Sequence, residues 1–200
     1  EVTALGYVFR VDMRLRPSGN KGPAATQFKG FIAYQQTEAE TWEHMALTRA
    51  RLVAGDPGLA AEAEAAIRAV LLTPRDPDTL RGDALQMRQL VATEKGEADP
   101  WDLKLAAGGL LDIEFIAQTL ILTHCRPHPG LLVTATPRVL DAAASAGLLV
   151  PGDADLLRRA YGLMRDLLQW QRLTVAGPFD PKTASPGLKR RMAAAVGLPD

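Results

Sequence analysis

The sequence predicts a mainly α-helical protein, a short strand-bearing start followed by amphipathic helices that close in an up-and-down helical bundle. Three observations point there. Apolar and polar residues alternate only between Tyr7 and Leu15, and apolar residues recur at three- and four-residue steps through most of the chain after Leu15. Prolines and glycines divide those steps into helix-length pieces.

In the first element Tyr7, Phe9, Val11, Met13 and Leu15 are apolar while Arg10, Asp12, Arg14 and Arg16 take the even positions, the pattern of a half-buried strand. Pro17-Ser18-Gly19-Asn20-Lys21-Gly22-Pro23 ends it as a loop. Thr26 is placed to cap a helix in which Phe28, Phe31, Ile32 and Gln35 share a face, and the spacing of Trp42, Met45, Ala46 and Arg49 continues it to Val53. Gly55-Asp56-Pro57 stops that helix. Two alanine-rich helices follow, Leu59 to Leu72 and Pro77 to Thr93, broken by Thr73-Pro74-Arg75.

The polar stretch from Glu94 to Trp101 contains Gly96 and Pro100, so a domain boundary is expected there, dividing residues 1–94 from 95–200. Beyond it, Ile113, Ile116, Ala117, Leu120 and Ile121 form an apolar stripe after Gly108-Gly109. Thr136 to Ala146 is a second amphipathic helix. Asp153 to Val175 is a third, carrying Leu156, Leu157, Ala160, Tyr161, Met164, Leu167 and Leu168. Three such helices on short links predict the bundle, and Gly187 to Val196 adds a short basic helix.

Composition sets limits on function. The chain has 200 residues, 47% hydrophobic and 23% charged, enough apolar side chain for a real core. Lysine plus arginine number 23 and aspartate plus glutamate 23, so no net field draws it to nucleic acid or an anionic membrane. No run of about 18 apolar residues is present. A single cysteine, Cys125, and no zinc-like spacing fit a reducing compartment, and a cytoplasmic location is expected. Glu1 leads almost directly into the strand pattern, which suggests a piece excised from a longer protein.

Three clusters could carry chemistry. On the strand, Asp12 shares a face with Arg10, Arg14 and Arg16, because side chains two apart point the same way. One acid among guanidinium forks suits a divalent metal with phosphate oxygens beside it, and equally a solvated ionic ladder. The stretch Thr41-Trp42-Glu43-His44 to Arg49 sets Glu38, Trp42, Met45 and Arg49 on one stripe, which reads as helix packing. In the third cluster, Lys104 precedes Gly108-Gly109, with Asp112 and Glu114 in the first turn of a helix. Glycines there let backbone approach a ligand, but helix capping alone accounts for both acids.

Taken together and in order, VDMRLRPSGNKGP (11–23), YQQTEAETWEHMALTRARLVAGD (34–56) and DLKLAAGGLLDIEF (102–115) resemble glutamine synthetase adenylyltransferase. That resemblance implies a bifunctional enzyme of two similar halves, each a nucleotidyltransferase α/β domain followed by a helical bundle. One half adds AMP from ATP to a tyrosine of glutamine synthetase, and the other removes it by phosphorolysis. Arg16-Pro17-Ser18-Gly19, Trp42-Glu43-His44 and Gly109-Leu110-Leu111-Asp112-Ile113-Glu114 look like the adding half. The Tyr7–Leu15 segment is then a remnant strand of the nucleotidyltransferase domain.

The resemblance implies Asp12 as the third carboxylate of the catalytic site and a Mg²⁺ ligand. It implies Arg14, Arg16 and Lys104 as contacts to ATP, with Glu43 and Arg49 in support and Asp112 and Glu114 undecided. The first two carboxylates, an Asp-x-Asp pair, do not precede Asp12 here, so the chain alone is expected to be inactive. Implied partners are glutamine synthetase, the PII regulatory protein and glutamine as effector. Three alternatives stay open: the adenylyl-removing half, a helical regulatory or protein-binding module without activity of its own, and a related uridylyl-transferring sensor.

Overall fold

A computed structural model describes residues 2–3, 6–7, 12–13, 15–96 and 99–197. It begins with β1 (Val2–Thr3) and β2 (Gly6–Tyr7), paired antiparallel with Val2 opposite Tyr7 and Thr3 opposite Gly6. The expected strand from Tyr7 to Leu15 is not what the described positions show. Tyr7 ends β2, Asp12 and Met13 have irregular backbone, and Leu15 starts a turn; residues 8–11 and 14 lie outside the described residues. The turn begins early because Arg16 folds back over it: its backbone N–H donates to Met13 O at 3.3 Å. Its guanidinium donates to Met13 O at 2.7 Å, Gly22 O at 3.1 Å and Asn20 O at 3.3 Å.

The helix expected from Thr26 to Val53 is two helices, α1 (Phe28–Thr37) and α2 (Thr41–Leu47). The break falls at Glu38-Ala39-Glu40 because Glu40 makes a capping box. Its side chain accepts from the Glu43 backbone while the Glu43 side chain accepts from Glu40 N–H at 3.0 Å. Gln27, not Thr26, stands at the cap of α1. Residues 48–53 form no helix, and the supposed stripe from Glu38 to Arg49 is interrupted.

From there helix positions follow the sequence closely. α3 (Pro57–Leu71) is capped by Asp56, which accepts from Gly58 N–H and Leu59 N–H. α4 (Pro77–Lys95) is capped by Asp76, with Pro77 in the first turn, where its missing N–H costs nothing. α5 (Leu110–His124), α6 (Thr136–Ser145), α7 (Pro151–Thr174) and α8 (Pro186–Ala195) complete the described chain.

In the bundle α5 packs against α6, α6 against α7 and α7 against α8. Ala117, Ile121, Cys125, Leu131, Val139 and Ala143 form one buried cluster, and Leu110, Ile113, Leu140 and Tyr161 another. A third joins Met45, Leu71, Leu80 and Ala84 to Leu122, so α5 also packs against α2 and α4. Each fully buried leucine, isoleucine, valine or methionine among them contributes about 1.5–3 kcal/mol. Two stripe residues depart from expectation: Ile116 faces a groove against α4, and Leu156 is 60% exposed on α7. α5 is buried on more than one side because helices flank it from both halves of the chain, so a single stripe under-describes it. Among the described residues no helix is long and apolar enough to cross a membrane.

Candidate functional site

Two of the expected site residues, the carboxylate Asp12 and the nucleotide contact Arg16, lie between β2 and α1. Asp12 is exposed on irregular backbone. Arg16 closes the loop as a staple, its guanidinium engaged by the carbonyls of Met13, Asn20 and Gly22, so the fork expected to receive phosphate is turned onto backbone. Gly22 has to be glycine for the ring to close, since a Cβ there would lie 2.0 Å from Pro17 O. Arg14 lies outside the described residues.

Lys104 sits far along the chain in the turn before α5, its side chain exposed and its backbone N–H donating to Asp102 Oδ1 at 3.1 Å. The glycine pair beside it serves backbone packing. Gly108 has φ +77°, a conformation open to glycine. A Cβ on Gly109 would meet Ala106 O at 2.7 Å and Leu103 O at 3.0 Å.

The two acids of α5 have distinct, internal partners. Asp112 receives the Arg88 guanidinium from α4 through Nε and Nη2, and Gly108 N–H donates to its Oδ2 at 2.6 Å. Arg88 Nη2 also donates to Leu105 O at 3.0 Å, binding the turn to α4. Glu114 Oε1 accepts from Arg49 Nη1 at 2.7 Å and from the Tyr161 hydroxyl at 3.2 Å, joining the end of α2 to α7. Nothing in the sequence signalled Arg88 or Tyr161 as partners, because they lie 24 and 47 residues from the acids they hold.

Glu43 is likewise structural in its contacts: besides the capping box it accepts from the Tyr34 hydroxyl at 2.8 Å. Trp42 Nε1–H donates to Glu40 Oε2 at 2.9 Å. His44 Nε2 donates to Gln35 O at 3.0 Å, and burial pushes its pKa below the ordinary histidine value, with the positive charge of Arg75 acting in the same direction. Arg75 in turn closes the end of α3 by donating to Val70 O, Leu71 O and Thr73 O. The Cys125 thiol, raised in pKa by burial, donates to Leu71 O at 3.2 Å.

A groove of about 840 Å³ runs between the start of α2 and α4 past Trp42, Asp83 and Gln86, and none of Asp12, Arg16 or Lys104 lines it. Among the described residues no three of histidine, cysteine, aspartate and glutamate come together as metal ligands. One carboxylate at Asp12 does not make a magnesium centre, since Mg²⁺ in such sites is held by paired acids together with phosphate oxygens. The described residues therefore do not by themselves fit that ion.

Comparison with known proteins locates the chain. The family model described as Glutamate-ammonia ligase adenylyltransferase matches residues 1–66, and that described as GlnD PII-uridylyltransferase matches residues 83–174. A bifunctional glutamine synthetase adenylyltransferase/adenylyl-removing enzyme of Xanthobacter autotrophicus is 51% identical over 199 residues, all of this chain and 20% of that protein. Proteins of the same name from Rhodopseudomonas palustris and Bradyrhizobium diazoefficiens are each 48% identical over 198 residues, 99% of this chain and again 20% of theirs. The chain thus spans about one fifth of the length of the curated relatives it matches. On a likeness that runs the length of the chain, it belongs, as a segment, to the glutamine synthetase adenylyltransferase family.

Proposed function

We propose that the chain is part of an enzyme that transfers AMP from ATP to a tyrosine of glutamine synthetase and so regulates nitrogen assimilation. The observation that carries this is the 51% identity along the whole chain to a protein named for adding and removing that group. Within this proposal residues 1–94 end a nucleotidyltransferase domain and residues 95–200 are its helical bundle. Asp12 supplies one carboxylate to a magnesium and ATP site whose other acids lie outside the chain. Lys104 offers an exposed amine to phosphate, whereas Arg16 shapes the loop that presents Asp12. Choice of the adding half over the removing half rests on the strings around Arg16, Trp42 and Asp112.

A second reading concerns the bundle. The PII-uridylyltransferase family model covers residues 83–174, from within α4 to the end of α7. Helices alike in proteins named for moving different nucleotides suit a regulatory role, and PII protein and glutamine are the proposed signals. A cytoplasmic setting follows from those partners.

The test uses a full-length enzyme containing this chain. Asp12→Asn keeps the size and removes the charge, so adenylylation of glutamine synthetase in saturating Mg²⁺ and ATP should fall by about 100-fold, on the scale of losing one electrostatic catalytic group. The melting temperature should stay within about 2 °C, because Asp12 is exposed. Loss of phosphorolytic removal alone assigns the chain to the other half. Unchanged rates in both directions leave Asp12 as a surface ion-pair residue and overturn the assignment. The 200-residue chain by itself should incorporate no AMP.

A further inference from the structure

Residues 13–22 close on themselves before they meet the rest of the chain. Arg16 ties Met13 O, Asn20 O and Gly22 O together through its guanidinium. Backbone bonds run inside this ring from Gly19 N–H to Arg16 O at 2.8 Å and from Lys21 N–H to Ser18 O at 3.1 Å. Asp12 stands one residue outside it, joined through Met13. A ring closed in this way moves as one piece, so whatever seats the ring also seats Asp12.

Ser18 marks the seat. Among the described residues it is the non-glycine position with a positive φ, 58°. That conformation is unfavourable for a serine and persists where the surroundings over-determine it. Here the surrounding group is the Tyr34 hydroxyl of α1, which receives a hydrogen bond from the Ser18 backbone and donates its own proton to Glu43 Oε1 at 2.8 Å. Burial and the bond to Glu43 raise the Tyr34 pKa, so the hydroxyl stays protonated and remains a donor. Glu43 is a firm anchor, because its other oxygen is occupied separately by Glu40 N–H in the capping box. Behind it α2 is seated by Met45, 2% exposed among Leu71, Leu80 and Leu122, and Arg49 beyond the end of α2 grips Glu114.

We propose that Tyr34 is a positioning residue for adenylyl transfer, pinning the 13–22 ring to α2 and so fixing where Asp12 stands. This rests on the reading of Asp12 as a carboxylate of the site. Tyr34 touches neither nucleotide nor protein substrate in this role, and its effect passes through the backbone of Ser18. A catalytic group displaced by about 1 Å can lose about 100-fold in rate, whereas one lost hydrogen bond at a half-buried hydroxyl moves stability little. The role of Tyr34 therefore shows in turnover far more than in melting.

In a full-length enzyme containing this chain, Tyr34→Phe removes the hydroxyl and keeps the aromatic ring. In whichever direction Asp12→Asn impairs the enzyme, kcat of the Tyr34→Phe variant should fall about tenfold while KM for glutamine synthetase is unchanged. Hydrogen exchange followed by mass spectrometry should show amides of residues 16–22 exchanging at least about fivefold faster, with those of α5 as in the wild type. In an Asp12→Asn background the same substitution should cost no further rate, because the ring then has no carboxylate to place. Thr37→Ala removes another α1 hydroxyl, one bonded to Ala33 O and away from the ring, and should change neither exchange nor rate. Unchanged exchange at residues 16–22 in Tyr34→Phe, or a rate loss that adds in full to that of Asp12→Asn, overturns the proposal and leaves Asp12 in its role. Full activity of Asp12→Asn in both directions takes the carboxylate out of the site and overturns both readings.

Discussion

His44 is a side chain whose environment sets a direction that solution work can read. Half-buried, with Nε2–H given to Gln35 O, it holds its neutral form in the fold, and its pKa is lowered from 6.5. Above the unfolded value both states are neutral and the full stability is present. As pH falls below 6.5 the unfolded chain takes up a proton first, so stability declines until the folded pKa is passed. Urea midpoints should therefore drop between pH 7.5 and 5.5 by more in the wild type than in His44→Gln. An identical drop in both proteins contradicts the assignment. The stretch around His44 read as helix packing, but the acceptor of its ring lies across the break between α1 and α2 that the apolar spacing did not show.

At the scale of elements, α5 shows how one sequence signal can have two causes. A glycine pair followed by acids resembles a ligand-binding helix start, and in the structure it is a packing device. Gly109 lies against three backbone carbonyls, and Asp112 gathers Arg88 and Gly108 N–H around that contact. Asp112→Ala should destabilise the chain by about 3 kcal/mol, because it removes the carboxylate that joins α5 to the guanidinium of Arg88, which is only 14% exposed. Asp112→Asn, which keeps one acceptor oxygen, should cost less. Equal melting of the wild type and the alanine variant contradicts this account. Helices α3, α4 and α8 were legible because an aspartate or serine cap followed by proline marks each start, α6 and α7 because a proline stands in the first turn, and α5 because a glycine pair precedes its apolar stripe. The split of α1 from α2 was not, since a capping box written Glu40-x-x-Glu43 puts an unusual residue at the cap.

Across the whole molecule, the cluster of Met45, Leu71, Leu80, Ala84 and Leu122 makes the elements before Gly96 share a core with the bundle after it. Met45→Ala should cost about 2–5 kcal/mol and lower one common unfolding transition followed by circular dichroism, with no separate melting of the bundle. Two resolved transitions, with only the first moved, contradict a shared core. The bundle itself was readable from periodicity, whereas long-range joints were not, because a residue's spacing along the chain says nothing about a partner 47 positions away. Asp112 and Glu114 stand about 200° apart around α5 and grip opposite neighbours, Arg88 on one side and Arg49 with Tyr161 on the other. The helix is thus keyed like a shaft with slots cut on two sides. Any turn of it strains both joints at once, and a push on Arg49 passes to Tyr161 through one shared carboxylate oxygen instead of being lost as spin.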